Sequence, residues 1–256
     1  MKLDCILTSC NDNTMYCDFI PIFIKTWSKL YPDVDVKIIF ISDSIPEKFK
    51  EYNNNIILYT PESNISTAFI SQYIRLLYPA LLNYKNGILI TDMDILPMNK
   101  TYYKKNIEEY SDDKFIYLRD VCMEGKQIAM CYNVAISKIW KEIFNINSIE
   151  DINIRLKEVF YELKHGYQIR GCGWGSDQID LYTYVMEWNI KTNNFIKFSD
   201  CITGFSRLDR CESFSTNISD ELKNKIKSGF FSDYHCLRPY STHKEINEQI
   251  YNLLSE

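Results

Sequence analysis

Two carboxylates stand one residue apart in Asp92-Met93-Asp94, where an apolar run, Gly87-Ile88-Leu89-Ile90-Thr91, gives out. In an extended backbone, residues i and i+2 point to the same face, so both carboxylates would converge on one point while Met93 packs away from it. Carboxylates so placed repel each other. A hard divalent cation such as Mn²⁺ or Mg²⁺ removes the repulsion and keeps coordination positions for phosphate oxygens. The place also suits a ligand, because open α/β sheets bind in the crevice outside the carboxyl ends of their strands. The plainer alternative for the same residues is a polar turn after a strand.

Holding those carboxylates requires strands buried on both faces, and the first half of the chain supplies them in alternation with helices. Cys5 to Thr8, Val36 to Ser42, Ile56 to Tyr59 and Gly87 to Thr91 read as strands. Phe19 to Leu30 and Thr67 to Leu82 carry helical spacing, the second with Ser66 as N-cap and a kink or early end at Pro79. That alternation predicts βαβ units and a mostly parallel sheet, an α/β fold. Beyond residue 100 the pattern turns to α+β. Strands are expected at Phe115 to Leu118 and Val134 to Ser137, and helices at Ile139 to Phe144 and about Ile152 to Leu163. A Gly171-to-Gly175 loop precedes a helix over Ser176 to Trp188, Phe230 to Thr242 is an aromatic, polar loop, and an amphipathic helix covers Lys244 to Leu254. With no linker or repeat, one domain over residues 1–256 is the simpler expectation.

The run Ser71-Gln72-Tyr73-Ile74-Arg75-Leu76-Leu77-Tyr78-Pro79, followed by the strand and Asp92-Met93-Asp94-Ile95, resembles the core of the GT-A glycosyltransferases. It is similar to the galactosyltransferase and glycogenin pattern, a helix ending in an R-L-x-x-P-like stretch before a strand and a D-x-D. The resemblance implies a Rossmann-like nucleotide-sugar-binding mixed sheet flanked by helices, with a donor half over about 1–100 and an acceptor and catalytic half over about 101–256. It implies Asp92 and Asp94 as ligands of Mn²⁺ or Mg²⁺ and Arg75 as a donor-sugar contact.

Weaker likenesses follow in the family's order. Thr8-Ser9-Cys10-Asn11-Asp12-Asn13 looks like the loop that receives nucleobase and ribose, with Thr8, Ser9 and Asn13 as contacts. Asn133, in Cys131-Tyr132-Asn133-Val134-Ala135, is similar to an asparagine near the sugar. Asp177 and Gln178, in Trp174-Gly175-Ser176-Asp177-Gln178, resemble the D-Q motif of retaining enzymes and also the loop of inverting galactosyltransferases. An inverting reaction needs a carboxylate to take the acceptor's proton, a role for Asp177; a retaining one needs a group on the sugar's other face, which the pair fits slightly better. As a purely local reading, Ser176 is an N-cap and Asp177 a first-turn acid. His235 resembles the late histidine that completes the metal shell, and Arg238-Pro239-Tyr240 the segment over the diphosphate, where an arginine fork engages two oxygens. His243, beside Lys244 and Glu245, is the rival ligand, and His165 is read as structural.

A net charge of −5 over 256 residues argues against nucleic acid or an anionic membrane as partner. No apolar run is long enough to span a bilayer, no secretory leader is evident, and nine cysteines without C-x-x-C spacing read as reduced thiols, so a cytoplasmic location is expected. The reading is then a glycosyltransferase moving a hexose from a nucleoside diphosphate sugar, UDP-linked, to a hydroxyl on a glycan or protein. The alternatives are a sugar-1-phosphate nucleotidylyltransferase, against which Thr8 to Asn13 lacks glycine and lysine, and an inactive GT-A sugar-binding module. Sugar, acceptor, stereochemistry and oligomeric state stay open.

Overall fold

The computed structural model of the chain describes residues 1–163, 165–210 and 218–254. Strands β1 (Leu3–Asn11), β2 (Asp35–Ile41), β3 (Ile56–Tyr59) and β4 (Gly87–Ile90) lie parallel in the order β3-β2-β1-β4. Helices α1 (Thr14–Cys17) and α2 (Ile20–Leu30) lead from β1 to β2, and α3 (Thr67–Leu77) leads from β3 to β4. The continuous apolar strands have the expected cause: every residue of β4 is buried, and each fully buried Ile or Leu contributes roughly 1.5–3 kcal/mol. Gly87 must be glycine for packing reasons, since a Cβ there would come within 2.9 Å of the Lys2 carbonyl, Met1 Sδ and Val134 Cγ1.

After β4 come β5 (Ile95–Pro97), α4 (Tyr102–Glu108), β6 (Phe115–Tyr117), β7 (Asn133–Ile136), α5 (Ser137–Phe144), α6 (Ile149–Glu162), α7 (Ser176–Thr192) and β8 (Phe195–Lys197). β7 joins β4 antiparallel, β6 joins β7 antiparallel, and β8 closes the seven-stranded sheet parallel to β6. Then α8 (Asp200–Thr203), β9 (Ser206–Leu208), α9 (Asp220–Lys227), β10 (Phe231–His235) and α10 (Tyr240–Leu253) follow. β10 lies between β5, to which it is antiparallel, and β9, forming a second sheet of three strands.

The structure corrects several local expectations. Asp92 to Asp94 is a turn, not an extended segment, closed by the Ile95 N–H donating to the Asp92 carbonyl at 3.1 Å. The i, i+2 argument therefore does not position the carboxylates, although Met93 is buried as expected. As expected, α3 ends early near Pro79: it stops at Leu77 and tightens into a 3₁₀ turn over Tyr78–Leu81, where Pro79 cannot donate the next helical hydrogen bond. Ser66 holds the N-cap position of α3 as expected, though its side chain makes no capping hydrogen bond, whereas the N-cap of α7 is Gly175 rather than Ser176. α6 instead starts at Ser148, whose hydroxyl accepts from the Asp151 N–H in a capping box. Thr8 to Asn13 is not a loop, because β1 runs through Asn11 and Asn13 caps α1. Phe231 to His235 is a strand, and the last helix starts at Tyr240 rather than Lys244, with His243 at a kink inside it.

The two sheets are locked by Arg119, just beyond β6 and 1% exposed. Its guanidinium donates to Tyr132 Oη at 2.9 Å, Asp233 Oδ2 at 3.2 Å and Ser232 Oγ at 2.8 Å, and Tyr132 Oη donates to Asp233 Oδ1 at 2.7 Å. β10 is thus fastened to the main sheet through fully satisfied buried charge.

Candidate active site

Where β1 and β4 end and β7 begins, a cleft of about 480 Å³ opens between the main sheet, the start of α7 and the small sheet. That volume lies in the range of small-ligand sites. Five arginines and three aspartates line it, a positive excess in an acidic chain.

The acidic centre is Asp94, 2% exposed. One of its oxygens, Oδ2, meets two guanidinium groups and an imidazole: Arg210 Nη1 at 2.8 Å, Arg238 Nε at 3.3 Å and His235 Nε2 at 3.6 Å. Burial alone would raise the Asp94 carboxyl, but His235, Arg238 and Arg210 beside it hold it well below the usual carboxylate range. His235 arrives there through backbone pairing. In the β10–β5 ladder it stands opposite Ile95, and the next residue, Cys236, donates its N–H to the Asp94 carbonyl at 2.8 Å. Its other ring nitrogen, Nδ1, faces Asp209 Oδ2 at 3.4 Å. Arg238 is anchored as well, hydrogen-bonded to Tyr16 Oη and lying 5.3 Å from the centre of that ring.

The second centre is Arg75, in the last turn of α3, where a cation complements the helix dipole. It is buried, and it reaches out of the helix to pair with Asp92, with the Thr91 carbonyl at 3.2 Å and with Asp177 Oδ2 at 3.5 Å. Asp177 opens α7, is 2% exposed, and accepts the Gln178 N–H at 2.9 Å. Burial pushes its carboxyl up to about 7; Arg75 opposes the rise and the charge of Asp92 adds to it. A carboxyl tuned near neutrality is what general acid–base work requires.

The loop ahead of α7 closes one side. Tyr167 Oη donates to Gln72 Oε1 at 2.5 Å, Gln72 Nε2 donates to the Trp174 carbonyl at 3.1 Å, and the Tyr167 and Trp174 rings stack. Gly173, at φ +74°, permits this: a Cβ would approach the Gly166 carbonyl to 2.9 Å.

Of the residues singled out from sequence, Ser9, Asn13, Arg75, Asp92, Asp94, Asp177, Gln178, His235 and Arg238 all line this one cleft. Thr8 and Asn133 stand behind its wall. Thr8 is fully buried in β1, and Asn133 is buried at the start of β7, where its side chain donates to the Ala129 carbonyl at 2.7 Å and shapes the cleft-lining turn at Ala129–Cys131. His243 is not among the lining residues. Sequence reasoning missed Tyr16, Arg170, Arg207 and Arg210. Arg207 lies within the three-residue β9 and Arg210 two residues past it, in a stretch with no readable period.

The donors for a divalent cation are carboxylate oxygens and one imidazole, the chemistry of Mn²⁺ or Mg²⁺. Among the described residues, no three His, Cys, Asp or Glu side chains are gathered so as to hold a metal ion by themselves. Asp94 and His235 face each other, and Asp92 lines the same cleft on Arg75. A cation here would hold to Asp94 and His235 and would have to draw its remaining ligands from a bound substrate. Among the described residues, no helix is long and apolar enough to cross a membrane.

No family model matches the sequence, and no curated protein does either. In three dimensions, two structures of LgtC each align over 98% of this chain and 95% of theirs. One is an active-site mutant, at TM-score 0.52 and 13% identity; the other is the galactosyltransferase with donor and acceptor sugar analogues, at 0.51 and 12%. At such identity the likeness is one of architecture, and with the seven-stranded mixed sheet flanked by helices it gives this chain the GT-A fold of the glycosyltransferases.

Proposed function

We propose that the protein is a divalent-metal-dependent glycosyltransferase that moves a hexose from a nucleoside diphosphate sugar, UDP-linked, to a hydroxyl on a glycan or protein. The observation that carries the reading is the convergence of Asp92, Asp94, His235, Arg75, Arg238 and Asp177 on one basic cleft at the carboxyl ends of β1 and β4. The nucleoside would lie by Ser9 and Asn13. Asp94 and His235, with Asp92, would hold the cation, which when bound neutralises charge gathering on the departing diphosphate. Arg238, preset on Tyr16, offers fixed donors to the same oxygens, a contribution that requires no reorganisation at the moment of transfer. Arg75 ties the donor side to Asp177, and Asp177 is the group suited to exchange a proton with the acceptor hydroxyl. The active-site mutant of LgtC replaces a glutamine; Gln178, at the mouth of α7, is this chain's counterpart in the reading.

The test is a screen of nucleotide sugars with Mn²⁺, following release of the nucleoside diphosphate with and without sugar acceptors. Turnover of one donor that disappears in EDTA and in Asp94→Asn is expected. A folded protein that binds no nucleoside diphosphate in the presence of Mn²⁺ would overturn the reading.

A further inference from the structure

Asp94 Oδ2 carries more positive partners than one carboxylate oxygen can keep once a metal ion binds it. Arg210 is the nearest, at 2.8 Å, and the two other groups have anchors elsewhere, Arg238 on Tyr16 and His235 on Asp209. Arg210 donates to Asp94, sits two residues past β9 and is about a quarter exposed. We infer that Arg210 is a resident stand-in for the cation: it holds Asp94 in the ligand-free protein, leaves when the divalent ion takes that oxygen, and is then received by the donor's diphosphate.

The inference rests on the donor reading above and adds a role that reading does not contain. A guanidinium on a buried carboxylate lowers the protein's affinity for a bare divalent ion, because the ion must displace a charge-assisted hydrogen bond. A diphosphate in the same cleft reverses the balance by offering the displaced guanidinium a bidentate partner. Cation and nucleotide therefore bind with positive coupling, and by linkage each strengthens the other by the same factor. The cleft is kept from ligating stray divalent ions, and the coupling passes through one side chain.

The experiment measures Mn²⁺ affinity, from the paramagnetic resonance signal of the unbound ion, with and without UDP, in the wild type and in Arg210→Gln, Arg210→Lys and Arg170→Gln. Arg170 lines the same cleft but contacts Met15 rather than Asp94, so its loss controls for charge alone. In Arg210→Gln, affinity for Mn²⁺ without nucleotide should rise about tenfold, equivalent to about 1.4 kcal/mol. The factor by which UDP tightens Mn²⁺ should fall to match. Arg170→Gln should change bare Mn²⁺ affinity far less, and Arg210→Lys, which keeps the charge but loses the planar fork, should fall between Arg210→Gln and the wild type. Equal gains in Arg170→Gln and Arg210→Gln, or no gain in Arg210→Gln, would overturn the stand-in role. If UDP and Mn²⁺ show no coupling in the wild type while Arg210→Gln still gains bare Mn²⁺ affinity, the donor reading fails and the hold of Arg210 on Asp94 stands. Undetectable Mn²⁺ binding in both overturns both.

Discussion

Asp177→Asn should make the protein more stable at alkaline pH than at acid pH, relative to the wild type. In the unfolded chain the Asp177 carboxyl titrates near 3.8, and in the folded protein burial raises it to about 7. Below 3.8 the group is protonated in both states and carries no linkage. As pH rises from there, the unfolded state gains a solvated carboxylate while the folded state keeps its proton, so stability is lost progressively until pH passes 7. At 1.36 kcal/mol per unit, the loss reaches roughly 4 kcal/mol by pH 8 but only about 1.5 kcal/mol at pH 5. Asparagine removes the titration and keeps an oxygen to accept the Gln178 N–H, so contributions independent of pH cancel in the comparison. The variant's advantage over wild type should therefore be roughly 3 kcal/mol larger at pH 8 than at pH 5. For a chain of this size that is on the order of 6–12 °C in Tm difference. Thermal or urea unfolding of both proteins at the two pH values reads it directly. An identical offset at both would show that Asp177 is charged in the folded protein and that the argument for its proton exchange is wrong.

Arg75→Ala should weaken UDP-sugar binding more than UDP binding, measured by calorimetry with Mn²⁺; equal losses would make Arg75 a support of Asp92 and the fold alone. His235→Ala should raise the Mn²⁺ concentration needed for UDP binding by tenfold or more, while His243→Ala, outside the cleft, should leave the titration unchanged; the reverse pattern would exchange their roles. Arg119→Met leaves Asp233 buried without its cation, so the urea midpoint should fall by an amount worth about 3–5 kcal/mol, and a near-neutral result would mean water reaches that carboxylate.

The parts legible in the sequence are those with strong apolar period. β2, β3 and β4 and helices α2 and α3 needed only continuous or 3.6-spaced apolar runs, and Arg75 is visible because it interrupts such a helix just before the strand that leads to Asp92. The run Phe-Ser-Asp-Tyr-His of β10 has no such period, because three of its five residues serve polar networks: Ser232 and Asp233 bond Arg119, and His235 faces the cleft. Tertiary pairing with β5 makes it a strand. The carboxylates of Asp92 and Asp94 share one cleft as expected, but through a turn and two separate arginine partners, Arg75 and Arg210, rather than through strand geometry. Sequence spacing could not show Arg210, since what selects it is proximity to a residue 116 positions away.

The pairing of His235 with Ile95 also sets when the protein can begin to work. Asp92 and Asp94 are made early, and the four parallel strands beneath them pair with one another inside the first ninety residues. Their histidine and both arginines that meet Asp94 come more than a hundred residues later, on strands that reach the site only by closing long loops. The first hundred residues therefore carry the two aspartates without the groups that complete the centre. The centre is whole only when β10 lies between β5 and β9.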